Sequence, residues 1–155
     1  MNLDNGVMTA TMPSNATTDA WIALVRAHER TLTSIEADLK AAGFPPLSWY
    51  DVLLELRRSG AEGLRPMEFE DRLLLAQHNV SRLLDRLEKA GYVSRKAHES
   101  DGRGQRIHAT ESGLDLQKRM WPIYGAAIER HLGAGLAGDH EAARLAELLR
   151  KVAHR

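Results

Sequence analysis

Residues 77–93 read QHNVSRLLDRLEKAGYV, and the rest of the fold follows from this stretch. Val80, Leu83, Leu84 and Leu87 recur at i, i+3, i+4 and i+7, which makes one face of a helix apolar and turns it inward. Asn79, Arg82 and Arg86 then share the outward face, with Gln77, His78 and Ser81 at the N-terminal end. Gly91 closes the helix after Ala90. The period changes directly afterwards. Tyr92-Val93 and Ile107-His108-Ala109 have the character of two short strands around a polar loop, Lys96 to Gln105, that carries Gly102 and Gly104.

Upstream, a tight break at Leu75-Ala76-Gln77 separates this helix from a shorter one. Pro66 suits the first position of the shorter helix, which holds Met67, Phe69 and Leu73. The run Ser59-Gly60-Ala61-Glu62-Gly63 is a turn, and before it Ser48 caps a helix reaching about Arg58, with Asp51 favouring its dipole. Earlier still, a helix starts near Thr18 or Asp19. Its stripe is Trp21, Leu24, Val25, His28, Leu32, Ile35 and Leu39; Gly43 ends it and Pro45-Pro46 delay a restart. Residues 1–17 lack periodicity and are expected to be a flexible tail. Downstream, Thr110 caps a long helix reaching Leu132, kinked or divided by Pro122. Asp139 caps a last helix with Leu145, Leu148, Leu149 and Val152 on one face. The order helix, short helix, tight turn, helix, hairpin predicts a mainly α fold with a small β-hairpin wing, a winged helix-turn-helix. The stripes Trp21 to Leu39 and Trp121 to Val152 exceed what one small subunit buries, which predicts a homodimer through the terminal helices.

The 155 residues fit one domain, and the mix of 43% hydrophobic and 27% charged residues is that of a globular chain. Lys plus Arg and Asp plus Glu stand at 21 each, so the chain as a whole is no polycation. The charge is nevertheless segregated. From Arg72 to Arg106, eight basic residues face four acids, a local net of +4 that the remainder offsets. With no cysteine, disulfides, thiolate catalysis and thiol-based redox sensing are excluded. There is no G-x-S-x-G and no HExxH, so neither a nucleophilic hydrolase nor a zincin is supported, and no cofactor or metal is expected. The N-terminus has no signal-peptide pattern and no apolar run suits a membrane span, so a cytoplasmic protein is expected.

A recognition helix reads bases with its N-terminal residues; Asn and Gln pair with adenine, Arg with guanine. Gln77, His78, Asn79, Ser81, Arg82 and Arg86 fit that role, against the plainer reading of a solvated helix face. Arg103 lies between Gly102 and Gly104 at the hairpin tip, where a cation suits the minor groove; Arg95, Lys96 and Arg106 add charge along the hairpin. The plainer reading there is an ordinary tight turn with an idle Arg.

The run Val80 to Val93, Asp101-x-Arg103, Thr110-Glu111-x-Gly113 and Trp49-Tyr50-Asp51-Val52-Leu53 resemble the multiple-antibiotic-resistance regulator (MarR) family of winged helix-turn-helix transcriptional regulators. The resemblance covers about residues 18–155. It implies a six-helix dimeric architecture in which 48–110 form the DNA-binding lobe and 18–47 and 111–155 the dimerisation helices. It also implies a homodimer on a pseudo-palindromic double-stranded DNA operator, acting as a repressor and released by a small aromatic or phenolic effector. Ala76 stands where a Ser or Thr cap is usual, and Gly102 replaces a second wing Arg. A branch of the family that responds to urate and related compounds carries a Trp in the first helix, an Asp in the second, an Arg in the recognition helix and an Arg where the wing begins. Trp21, Asp51 and Arg95 match; the recognition-helix position falls on Leu83, with Arg82 beside it. The expected ligand site is therefore Trp21, His28, Trp49, Asp51 and Arg95, at the junction of the dimer helices and the winged lobe. The alternative is a helical protein–protein adaptor that keeps the fold without reading DNA; salt-dependent retention on DNA separates the two.

Overall fold

The computed structural model describes residues 10–97 and 104–154. The expectations that rest on Asp101, Gly102 and Arg103 lie outside the described residues. Among those described, six α-helices and one antiparallel hairpin follow one another. The first helix, α1 (Asn15–Ala41), begins a turn before Thr18: the Ser14 hydroxyl accepts the N–H of Thr17 and so takes the cap position. Residues 15–17 of the expected tail are thus helical. The second, α2 (Leu47–Ser59), starts at Leu47, so Ser48 lies inside the helix and caps nothing. Pro46 has no side-chain acceptor to cap the helix, and the free N–H of Leu47 is met from α1: both Glu36 carboxylate oxygens accept it, at 3.1 and 3.2 Å.

A 3-10 turn (Gly60–Glu62) leads to α3 (Glu68–Arg72), which starts later than Pro66, so that Met67, 80% exposed, and Leu73 flank the helix instead of lying in it. Phe69 alone among its residues is buried. The expected recognition helix, α4 (Val80–Lys89), buries Leu83, Leu84 and Leu87 as the spacing predicts. Its cap is Asn79, not position 76: Asn79 Oδ1 accepts the N–H of Arg82 at 2.9 Å. The strands β1 (Val93–Ala97) and β2 (Gln105–Ala109) are longer than expected and set Lys96 opposite Arg106. Leu64 adds a bridge to Ile107, with paired backbone hydrogen bonds of 3.0 and 2.7 Å, which ties the hairpin to the segment after α2.

Helix α5 (Glu111–His131) is capped by Thr110 as expected and runs unbroken through Pro122. The final helix, α6 (Asp139–Ala153), has Gly138 at its cap, so Asp139 is its first residue and acts on the dipole rather than as the cap. A single apolar core joins Leu39 of α1, Val52 and Leu53 of α2, Phe69, Leu84, Leu87, Ile107, and Leu116 and Met120 of α5. The α1 stripe divides: Ile35 and Leu39 enter this core, whereas Trp21 is 65% exposed and His28 is exposed. No residue of α6 is buried, and Leu148, Leu149 and Val152 are exposed. No helix among the described residues is long and apolar enough to cross a membrane.

Candidate nucleic-acid interface

The amphipathic spacing of α4 orients the interface. With Leu83, Leu84 and Leu87 locked into the core, Ser81, Arg82, Asp85, Arg86 and Lys89 must project outward, and all five are exposed. Among the described residues no ion pair ties down Arg82 or Arg86, so both guanidinium groups are available to an anionic partner. Gln77 and His78 precede the helix, Gln77 half-buried and His78 exposed. The Asn79 oxygen accepts the N–H of Arg82 as the helix cap, which sets this side chain at the leading end of the outward face.

An ion-pair bridge joins the hairpin to α4. Arg95 on β1 donates to Asp85 at 2.6 Å and lies 3.3 Å from Glu88, both on α4. Two carboxylates partly neutralise this cation, so its place is that of a strut between hairpin and recognition helix. Lys96 is exposed, and Arg106 reaches the Glu62 carbonyl at 3.3 Å.

A cleft of about 360 Å³ lies between α2, α5 and the end of α3 with the segment after it, lined by Tyr50, Asp51, Leu54, Arg58, Arg72, Leu74, Trp121 and Tyr124 among others. Of the five residues expected in a ligand site, only Asp51 lines it. Within one subunit Trp21 and His28 lie exposed on α1, Trp49 packs edge-to-face on Tyr92 at 5.8 Å, and Arg95 faces α4. The structure instead gathers an aromatic wall: Trp121 stacks on Tyr50 at 6.3 Å, and Tyr124 meets Tyr50 edge-on at 5.0 Å. The spacing held the signal. Leu47, Asp51, Leu54 and Arg58 fall on one face of α2, and Trp121, Tyr124 and Ile128 on one face of α5. Asp51 is 7% exposed, and its Oδ2 accepts the N–H of Leu75 at 2.9 Å. Burial raises its pKa against the lowering effect of backbone N–H groups from Leu75 and Leu74. Burial also raises the Tyr124 hydroxyl pKa, with Tyr50 and Asp51 adding to the effect.

Comparison with known proteins places this arrangement. A family model described as MarR family matches residues 42–104. The uncharacterized HTH-type transcriptional regulator YkoM of Bacillus subtilis is 33% identical over 114 residues, which cover 74% of this chain and 71% of that protein. The HTH-type transcriptional regulator PrsX of Escherichia coli is 33% identical over 96 residues, 62% of this chain and 57% of PrsX, so the match spans little more than half of that relative. Among solved structures, AbsC of Streptomyces coelicolor, a MarR family transcriptional regulator, superposes with a TM-score of 0.80 at 24% identity, over 92% of this chain and 95% of that one. Sco3205 of the same organism, a MarR family transcriptional regulator solved in complex with DNA, gives 0.81 at 24% identity, over 92% and 89%. At that identity the likeness is one of fold.

Proposed function

The chain belongs to the MarR family of transcriptional regulators, and from that premise we propose that it binds a pseudo-palindromic double-stranded DNA operator as a homodimer, represses from it, and is released by a small aromatic anion. The observation that carries the reading is the outward face of α4. Arg82 and Arg86 project without ion-pair partners among the described residues, from a helix whose other side is anchored by three buried leucines. A helix of that kind enters a major groove with its N-terminal turn leading, and the adjoining hairpin reaches the flanking backbone and minor groove. In a two-fold dimer the half-sites would lie about 10 base pairs apart, one turn of DNA. The exposed apolar residues of α6 and of the first turns of α1 supply the surface for that pairing.

Selection of bound sequences from random DNA gives the operator, and two substitutions then test the reading. A lost bidentate base contact costs about 1–3 kcal/mol, so Arg82→Ala should weaken operator binding about 5- to 150-fold while leaving non-specific binding less affected. An equal loss on both would assign Arg82 to phosphate. Arg103, between the ends of β1 and β2, is proposed as the minor-groove contact on the strength of its sequence position. Arg103→Ala should weaken operator binding at moderate salt with unchanged thermal stability, and unchanged affinity would remove it from the interface.

The effector reading rests on the cavity. Its volume suits a small aromatic molecule, Trp121, Tyr50 and Tyr124 offer ring faces, and Arg58 and Arg72 offer donors to a carboxylate. Thermal-shift screening of aromatic acids should find compounds that both stabilise the protein and release it from operator DNA. Stabilising compounds that leave DNA binding untouched would refute the regulatory part of this reading, since a ligand must favour the state that does not bind DNA.

A further inference from the structure

Two routes join the winged lobe to the terminal helices, one through α5 and one through the turn between α1 and α2. On the first route, Arg57 of α2 donates to the Gln117 side chain at 2.6 Å and to the Leu114 carbonyl at 2.8 Å, so the first half of α5 moves with the lobe. Near the other end, Arg130 and His131 lie 2.9 and 2.8 Å from the Asp38 carboxylate, so the second half moves with α1. Pro122 stands between the two halves. It lacks the N–H that would bond the Lys118 carbonyl, and a helix bends most readily at such a gap. The second route has no such gap. The N–H groups of Gly43 and Phe44 donate to the carbonyls of Lys40 and Leu39, each at 3.0 Å, with Gly43 at φ 80°. Pro45 and Pro46 stiffen the next two positions, and Glu36 then takes the Leu47 N–H on both carboxylate oxygens. Among the described residues these are the only hydrogen bonds from α1 to α2. Ile35, Leu39 and Leu47 share the core, but apolar burial is non-directional, whereas a hydrogen bond to the first amide of a helix restrains an angle.

We propose that Glu36 determines which half-site spacing the protein accepts: it closes the frame of α1, α2 and α5, stops the lobe from swinging about Pro122, and so fixes how far apart two reading heads stand. This rests on the two-headed operator reading. The lever is long enough for the purpose. The 13 residues of α2, rising about 1.5 Å each, make it about 20 Å long. A tilt of about 10° at Leu47 moves the far end of that helix by about 3.5 Å, which matches the rise of one base pair. A small slackening at Leu47 is therefore a whole step of error at the DNA. Glu36 itself lies on α1 and acts through Leu47, 11 positions on, so it is a positioning residue and no contact to a base or phosphate is asked of it.

The probes for the full chain are the selected operator, copies with one base pair inserted or removed between its half-sites, and a single half-site. Two linked heads gain about 10²–10⁴-fold over one and lose that gain when they cannot engage together, so the wild type should bind the altered spacings at least about 10²-fold less tightly. Glu36→Ala should shrink that ratio to below about tenfold with single-half-site affinity unchanged. Glu36→Gln, which keeps one oxygen acceptor, should fall between the two and serves if Glu36→Ala does not fold. Adding Pro122→Ala to either variant restores the missing bond in α5 and should recover the wild-type ratio. A variant that weakens every spacing alike, or no recovery with Pro122→Ala, would assign Glu36 to stability alone and overturn this role. A second measurement needs no DNA. The chain has no cysteine, so Ala90→Cys at the end of α4 takes one spin label per protomer. The label-to-label distances should be wider in spread by about 3 Å or more once Glu36 is replaced, the base-pair scale again. Equal spreads would overturn the role as well. A wild type indifferent to spacing would instead overturn the two-headed operator reading, and the label distances would then decide the role of Glu36 alone.

Discussion

Removal of residues 139–155 should leave a protein that aggregates or fails to fold cooperatively, and that has lost operator binding by about 10²–10⁴-fold, the advantage that linking two reading heads confers. The reasoning starts from α6 itself. It is a regular helix with an apolar face, Leu145, Leu148, Leu149 and Val152, yet none of its residues is buried by its own chain. An isolated amphipathic helix of this length is marginal in water, so a partner surface must sustain it. The exposed Trp21, Ile22 and Leu24 on α1 show the same deficit, and the proposed second copy would cover both deficits at once. Sedimentation and circular dichroism of the truncated chain provide the check. A well-folded, soluble monomer would refute the dimer.

Gly113→Ala should lower stability by about 2–3 kcal/mol, roughly 4–12 °C in Tm for a chain of this size. Gly113 is buried in the first turn of α5, where Thr110 holds the helix start against the end of the recognition unit: its N–H donates to Tyr92 O at 3.0 Å and its hydroxyl to Gly91 O at 2.7 Å. That docking brings the helix so close that a Cβ at position 113 would strike the Tyr92 carbonyl and press on Leu53. Neither neighbour can swing aside, because one is backbone and the other is core. The better helix propensity of Ala, worth about 1 kcal/mol, offsets only part of the clash. Gly104→Ala serves as the control, since no described residue lies within 4 Å of its would-be Cβ, and should leave stability nearly unchanged. Chemical denaturation measures both variants, and a Gly113→Ala protein as stable as the parent would contradict the close approach.

What was legible in the sequence was whatever a local period or a local cap determines. The leucine spacing of α4, the Thr110 cap, the switch from period 3.6 to period 2 after Gly91 and the exposure of Arg82 and Arg86 all read correctly from neighbours in the chain. What failed depended on partners far away in sequence. Ser48 is a good cap by type, but the Leu47 amide is already served by Glu36 from another helix, so the helix begins earlier. Asn79 outranks Ala76 as cap because the chain breaks later than the hydrophobic run suggests. Trp49 and Tyr50 are adjacent, and one step of about 100° sends them to different surroundings, Tyr92 for the first and Trp121 with Tyr124 for the second. Which of them lines a cavity is decided by where α5 packs, and no local pattern records that.

The Glu36 carboxylate on the first amide of α2, and the single core that runs from Leu39 to Met120, bear on how new specificities arise in such a protein. A lobe cut out at residues 47 and 110 and grafted onto another pair of terminal helices would arrive with its leading helix uncapped and without its core partners Ile35, Leu39, Leu116, Met120 and Ala127. Exchange of whole reading heads between relatives is therefore a poor route to a new operator. Arg82, Arg86 and Lys96 are exposed and contribute nothing to that core, so their codons can change one at a time without threatening the scaffold. Divergence of target sites should proceed by point substitution on α4 and the hairpin, with the leucines beneath them held still.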